Sequence, residues 1–232
     1  MDSHSPPEKW FTFFGLVVVR RTDLLAATAF ALSLSTIIYQ LWLFVRGANP
    51  VIYHPDTLYV FFDKYANGVT ATRVAGQLSF TNDGDVGHNA IVRDVAATVK
   101  VGGRSIEEYW LSFAALTRRD TELVFDIKET AHPIVVNGGG ASSYMVTFSP
   151  RVKDCAVSSQ KGEVCDQAAD FVSDVDFLNL LSQQKTMTIT FTAAVFDTRR
   201  PLKAECSTSI TEDMIRTLAK NDWYAARCIA AR

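Results

Sequence analysis

Residues 24 to 45, LLAATAFALSLSTIIYQLWLFV, form a run of 22 consecutive residues without a charge. A helix rising about 1.5 Å per residue would cover about 33 Å over that run, close to the ~30 Å hydrocarbon thickness of a bilayer. The run therefore predicts a transmembrane helix over residues 22–46. A secretory signal peptide has an apolar core of only about 7–15 residues followed by small residues. Here the core is longer and ends in the bulky Leu41, Trp42, Leu43 and Phe44, and the nearest small pair, Val45 and Gly47, straddles Arg46. A buried helix of a soluble core would be unusual at this length without one charge. An uncleaved membrane span is the expectation.

The flanks give the orientation. Lys9, Arg20 and Arg21 precede the span, against Arg46 just after it. The positive-inside rule puts the N-terminus in the cytoplasm and the rest of the chain on the far side of the membrane. Tyr39 and Trp42 near the far end and Trp10 before the near end suit interfacial aromatic belts. The expected layout is a cytoplasmic tail with an apolar interfacial segment (1–21), the span (22–46), a linker (47–56) and a folded periplasmic domain (57–232) of a single-pass inner-membrane protein.

The exterior part carries 19 Lys+Arg and 22 Asp+Glu from residue 47 onward, a balance of −3. Phosphate backbones require a net basic patch, so no nucleic-acid partner is expected. All four cysteines, Cys155, Cys165, Cys206 and Cys228, lie beyond the span, where an even number reads as two disulfides. Of the three possible pairings, Cys155 with Cys165 closes a polar loop and Cys206 with Cys228 ties down the tail, and that one is preferred. No C-x-x-C spacing occurs, so a zinc site is not expected, nor any cofactor. The chain has no Asn-x-Ser/Thr sequon, in keeping with a bacterial periplasmic domain.

Residues 10 to 19, WFTFFGLVVV, are apolar but too short to cross a membrane. They read either as an interfacial helix in the inner headgroup region or as a segment through which Trp10, Phe11, Phe13 and Phe14 dock onto another membrane subunit. Within the span, Ala27, Ala31 and Ser35 recur every four residues as a small-residue stripe, and Gln40 adds an uncharged polar group in the outer half. Such a stripe lets helix backbones approach closely in lipid, although Ala and Ser also occur in spans without a partner.

After RGANPVIYHPD, a connector with two prolines, the texture turns to short alternating runs between turn residues. TLYVFFDKY (57–65) is a first strand turning at Asn67-Gly68. Leu78 and Phe80, then Val95, Ala97 and Val99, alternate with polar neighbours around a turn at Asn82 to Gly84. Further strands are predicted at 121–128, 133–136 and 142–150, and a final hairpin at 185–198 and 202–210 about Arg199-Arg200-Pro201. Many short strands at turn spacing indicate a mainly β domain, an antiparallel sandwich. Two helices interrupt it. In 166–184, Phe171, Val175, Leu178 and Leu181 recur at helical period, giving a crossover helix, and Thr211 caps a C-terminal helix in which Met214, Ile215 and Leu218 face the sheet.

FTNDGDVGHNAIVRDVAATVKV resembles the inner strand pairs of bacterial membrane-anchored domains of immunoglobulin-like type, including the WHy-like group of late-embryogenesis-abundant proteins. VVNGGGASSYMVTF resembles their paired strand after a Gly-rich turn. The resemblance implies an immunoglobulin-like sandwich used for interaction, with no catalytic residues to carry over.

The chain lacks Gly-x-Ser-x-Gly, His-Glu-x-x-His and a phosphate-cradling Gly-Lys-Ser/Thr, and His4, His54, His88 and His132 are scattered. Gly138 to Gly140 precede a strand rather than a helix, so they read as a turn. Asp83 and Asp85 read as turn residues and not as a calcium loop, and Asp166, Asp170, Asp174 and Asp176 as a solvated helix face. No enzymatic activity is expected. The leading expectation is a noncatalytic accessory subunit in a hetero-oligomeric complex with other membrane protein subunits in the bilayer; the alternative is a binding module for a small ligand, lipid or cell-wall component. Tyr109, Trp110, Phe113, Trp223 and Tyr224 are candidates for a partner surface, but core packing is the favoured reading of both aromatic groups, because sandwiches bury such side chains. Bulky replacement of Ala27 and Ala31 should weaken co-purification with a membrane partner, and undiminished recovery in a pull-down would remove the stripe from consideration.

Overall fold

The computed structural model describes residues 11–13, 16–18, 21–64, 70–119, 122–150, 153–158, 162–166, 172–196, 198, 200–220 and 222–230. The chain forms two compact units, Met1–Gly47 and Ala48–Arg232.

In the first unit, β1 (Phe11–Phe13) and β2 (Leu16–Val18) pair antiparallel, with Phe11 opposite Val18. The interfacial helix expected over 10–19 is thus corrected to a short strand pair. Its aromatic and β-branched residues favour extended backbone. The following helix α1 (Arg21–Arg46) has 26 residues. Among the described residues it is the helix long and apolar enough to cross a membrane or to serve as a signal sequence, over Leu25–Trp42, with none of that window buried. The hydroxyls of Ser35 and Thr36 both donate to the Leu32 carbonyl at 2.8 Å.

The second unit is mainly antiparallel β. Its elements are β3 (Pro50–Tyr53), β4 (Thr57–Lys64), β5 (Thr70–Asn82), β6 (Ala90–Val101), β7 (Arg104–Arg119), β8 (Glu122–Thr130), β9 (Ile134–Val136), β10 (Gly140–Pro150), β11 (Lys153–Ser158), β12 (Gly162–Asp166), α2 (Asp174–Ser182), β13 (Thr186–Val195), β14 (Leu202–Ser209), α3 (Glu212–Leu218), β15 (Tyr224–Arg227) and β16 (Ile229–Ala230). Apart from the separate β11–β12 pair, the strands form one 12-stranded sheet in the order β15-β4-β5-β10-β7-β6-β13-β14-β16, with β3, β8 and β9 added to β5, β7 and β6. Only Cys228 separates β15 from β16, so one C-terminal run pairs with β4 at one end of this order and with β14 at the other. The path of hydrogen bonds returns on itself.

Alternation builds the core. On β13, Met187, Ile189, Phe191, Ala193 and Val195 are buried and the intervening residues are not, and Val95, Ala97, Val99 and Val101 do the same on β6. Between β6 and β13 the register slips, Ala194 facing Asp94 but Val195 facing Val92. Arg93 is the extra residue of this bulge, which resets the alternation so that Ala90 and Val92 also face inward. Phe148 of β10 meets Phe191 with ring centroids 5.7 Å apart. Burying a side chain of that size contributes about 1.5–3 kcal/mol.

The described residues depart from the sequence reading in three places. Residues 50–53, expected within the linker, form β3 along β5, with Ile52 opposite Phe80 and buried. Val51, Ile52 and Tyr53 are good strand formers, and Pro50 sits at the strand's first position, where its missing N–H is harmless. Pro55 then packs where a Cβ on Gly76 would come within 2.8 Å of it, which accounts for glycine in mid-strand. In α2 the buried residues are Phe177 and Leu181, while Val175 is 62% exposed. The helix runs from Asp174, with the Ser173 hydroxyl accepting from Asp176 N–H as its cap; of the expected face Leu181 is buried and Leu178 packs against the core, while Val175 turns outward and Phe171 lies outside the described residues. The C-terminal helix ends at Leu218, and the chain beyond it becomes β15 and β16 instead of more helix. Its N-cap is as expected, the Thr211 hydroxyl accepting from Met214 N–H at 3.1 Å. Finally, the turn expected at Asn67-Gly68 lies outside the described residues.

Cys206 and Cys228 form a disulfide with a Cα–Cα distance of 5.5 Å. The backbone of β11 and β12 places Cys155 directly opposite Cys165. Asn82, buried, uses its whole amide. Oδ1 accepts from Asn49 N–H (2.9 Å) and Gly84 N–H (3.0 Å), and Nδ2 donates to the carbonyls of His88 (2.7 Å) and Val136 (3.1 Å). Gly138 approaches the Asp85 backbone so closely that a Cβ would overlap it, and Gly139 has φ +69°, which explains the glycine run as a turn. Replacing Asn82 with Ala orphans four backbone groups; Asn82→Ala should lower stability in urea unfolding by about 3 kcal/mol.

Candidate interaction surface

On β4, Leu58 and Val60 enter the core, and Tyr59 and Phe61 therefore occupy the opposite face. The β7–β8 hairpin brings Phe125 against them, stacked on Phe61 at 5.2 Å with an interplanar angle of 14° and edge-on to Tyr59 at 5.2 Å. The turn before β15 adds Trp223, 5.7 Å from Tyr59 and 6.4 Å from Phe125. All four rings are half-buried. Each well-oriented aromatic pair is worth about 0.5–1.5 kcal/mol beyond its buried area. The cluster is thus a packed aromatic face that keeps part of its surface exposed.

Tyr59 also borders a groove of about 540 Å³, lined by Tyr53, His54, Asp56, Gln77 and Ser79 among others. Of its lining groups, the Ser79 hydroxyl lies 2.7 Å from that of Ser143. Phenols, hydroxyls and amides of this kind orient a ligand through hydrogen bonds. His54 sits at the groove with Nδ1 3.1 Å from the Pro55 carbonyl oxygen.

The surface residues proposed from the sequence divide. Trp223 belongs to the cluster. Tyr224 is half-buried, its hydroxyl 3.3 Å from that of Thr211. Tyr109 is half-buried and donates to Glu107 at 2.9 Å. Trp110 and Phe113 are not surface residues: at 8% and 7% exposure they pack edge to face, 4.9 Å apart, in the core. The cause is an irregularity in the β7–β10 register, where Thr147 faces Ser112 but Phe148 faces Trp110, leaving Leu111 as the extra, exposed residue. Ala27, Ala31, Ser35 and Gln40 are all exposed on α1. Phe11 and Phe13 lie on β1, and Trp10 and Phe14 lie outside the described residues. Tyr59, Phe61 and Phe125 escaped the sequence reading. Their signal is that TLYVFF is apolar on both faces, which marks a strand covered on both sides.

A buried acid lies between β7 and β5. Glu108 is fully buried, and its Oε2 accepts from Val74 N–H at 3.1 Å. Its Oε1 has no partner among the described residues. Burial raises its pKa well above the ordinary value, against the opposing pull of the Val74 hydrogen bond and the Arg73 charge. Arg73 itself pairs with Asp63 at 2.6 Å.

No protein-family model matches the chain, and no curated protein matches it at a significant level.

Because the folded state holds the Glu108 proton more tightly than the unfolded state, no penalty exists below the unfolded pKa. Stability is lost as pH rises from there through the raised folded pKa. Glu108→Gln, which keeps the shape without the titration, should be more stable than the wild type in thermal unfolding at pH 8 and show no such gain at pH 4.

Proposed function

We propose that the chain is a noncatalytic accessory subunit of a membrane protein complex, anchored by α1 with its N-terminus in the cytoplasm and its β domain in the periplasm. The exposed apolar helix carries this reading, since in water it would leave a run of bare Leu, Ile, Phe and Trp side chains. The Cys206–Cys228 disulfide supports an oxidising compartment. We infer an immunoglobulin-like sandwich for the folded-over sheet, on its turn pattern and antiparallel order. The face built from Tyr59, Phe61, Phe125 and Trp223 is the surface assigned to the partner, because aromatic anchors concentrate binding energy at interfaces. A second reading is ligand capture in the polar groove, favoured by its volume of about 540 Å³.

Native mass spectrometry after mild detergent extraction should find the chain in a discrete hetero-oligomer. Phe61→Ser should reduce recovery of the partner by about tenfold or more. A monomer carrying a small molecule would favour the groove reading instead.

A further inference from the structure

Cys206 on β14 and Cys228 between β15 and β16 are buried, 0% and 5% exposed. His54, in the segment between β3 and β4, brings an imidazole nitrogen to the same place: it and the two sulfurs all lie within 4.8 Å of one another. Zinc holds thiolate sulfur at about 2.3 Å and imidazole nitrogen at about 2.0–2.1 Å, so donors around one ion stand about 3.5–4 Å apart. The three donors are within a small side-chain adjustment of that spacing.

The main chain holds them there independently of the S–S bond. Cys206 is in register with Ala230, the Cys228 N–H donates to the Asp56 carbonyl at 2.9 Å, and Asp56 is two residues from His54. The His54 ring is oriented in turn by the Pro55 carbonyl, and an Nδ1–H donated there leaves the other nitrogen with its lone pair free to ligate. His54 also lines the groove, which gives an ion a route from solvent to the otherwise buried sulfurs.

We propose that reduction of the Cys206–Cys228 disulfide opens a three-donor site, made by the two thiolates and His54, for one zinc-type divalent cation. A dithiol reductant supplies two electrons and two protons to the S–S bond and becomes a disulfide itself. The two thiols then release two protons as their sulfurs bind the ion. Two thiolates and one dication sum to zero charge, which suits a buried site; a monovalent ion would leave a net charge there. Thiolate and imidazole donors together select zinc over magnesium or calcium. The same residues thereby join the C-terminal run to the sheet in either redox state, through a covalent bond or through a metal. The inference stands independently of the accessory-subunit reading.

The test uses the full-length protein in detergent, oxidised or reduced with a phosphine that is then removed, titrated with Zn²⁺ against a competing chelator. The oxidised protein should take up no zinc at this site and the reduced protein one equivalent. His54→Gln, which keeps both cysteines, should weaken zinc binding by about tenfold or more. Cys155→Ser with Cys165→Ser should leave the uptake intact, while Cys206→Ser with Cys228→Ser should abolish it. Absence of uptake by the reduced chain, including a chain that circular dichroism shows unfolded, overturns the proposal. So does unchanged affinity in His54→Gln, which decides the matter if the double serine variants do not fold.

Discussion

The β domain depends on how its last strand is used. Without the run from Tyr224 to Ala230, β4 and β14 would each present a row of unpaired N–H and C=O groups, the usual point of failure of an open sheet. By pairing with Thr57–Val60 of β4 and with Cys206 and Ser207 of β14, this run covers part of two edges with one segment. The Cys206–Cys228 bridge lies where the run passes from one edge to the other and closes a loop with a sequence separation of 22, worth about 3 kcal/mol in a chain-entropy account. Because a terminal strand otherwise frays easily, covalent attachment at this junction protects the closure as a whole.

Closure also explains where the outer features gather. Once β15 lies beside β4, Trp223 is delivered to the face of Tyr59 and Phe61, and the β7–β8 hairpin completes it with Phe125. The connector from Asn49 to Asp56 is drawn in by the same geometry. It is fixed at one end by Asn82 and at the other by Pro55 against Gly76, with Asp56 accepting from Cys228. Groove, aromatic face and cysteine pair are therefore neighbours on one flank, assembled from segments far apart in the chain.

The domain keeps a few polar groups out of water at a cost. Asn82 is fully satisfied and acts as a loop clamp, whereas Glu108 has only one hydrogen bond among the described residues and is held toward its neutral form. The Ser112 and Thr147 hydroxyls, 2.7 Å apart in the interior, complete one another across the β7–β10 ladder. These pairs constrain register more than they add net stability, because each leaves an orphan if its strand slips.

What the residues determined alone are the properties set by local period and composition: the uncharged helix-length run, the alternating strands β6 and β13, the β13–β14 hairpin, the Thr211 cap and the antiparallel β class. The glycine run at 138–140 was also legible as a turn. Only the tertiary structure decided which face of α2 is buried, that the linker adds a strand, and that Trp110 and Phe113 go inside while Tyr59, Phe61 and Phe125 gather outside. It also decided that His54 meets Cys206 and Cys228. The physical reason is that bulges and strand order change which way a side chain faces without changing local propensity. Contacts between residues more than a hundred positions apart depend on how the sheet closes, which no window of sequence contains.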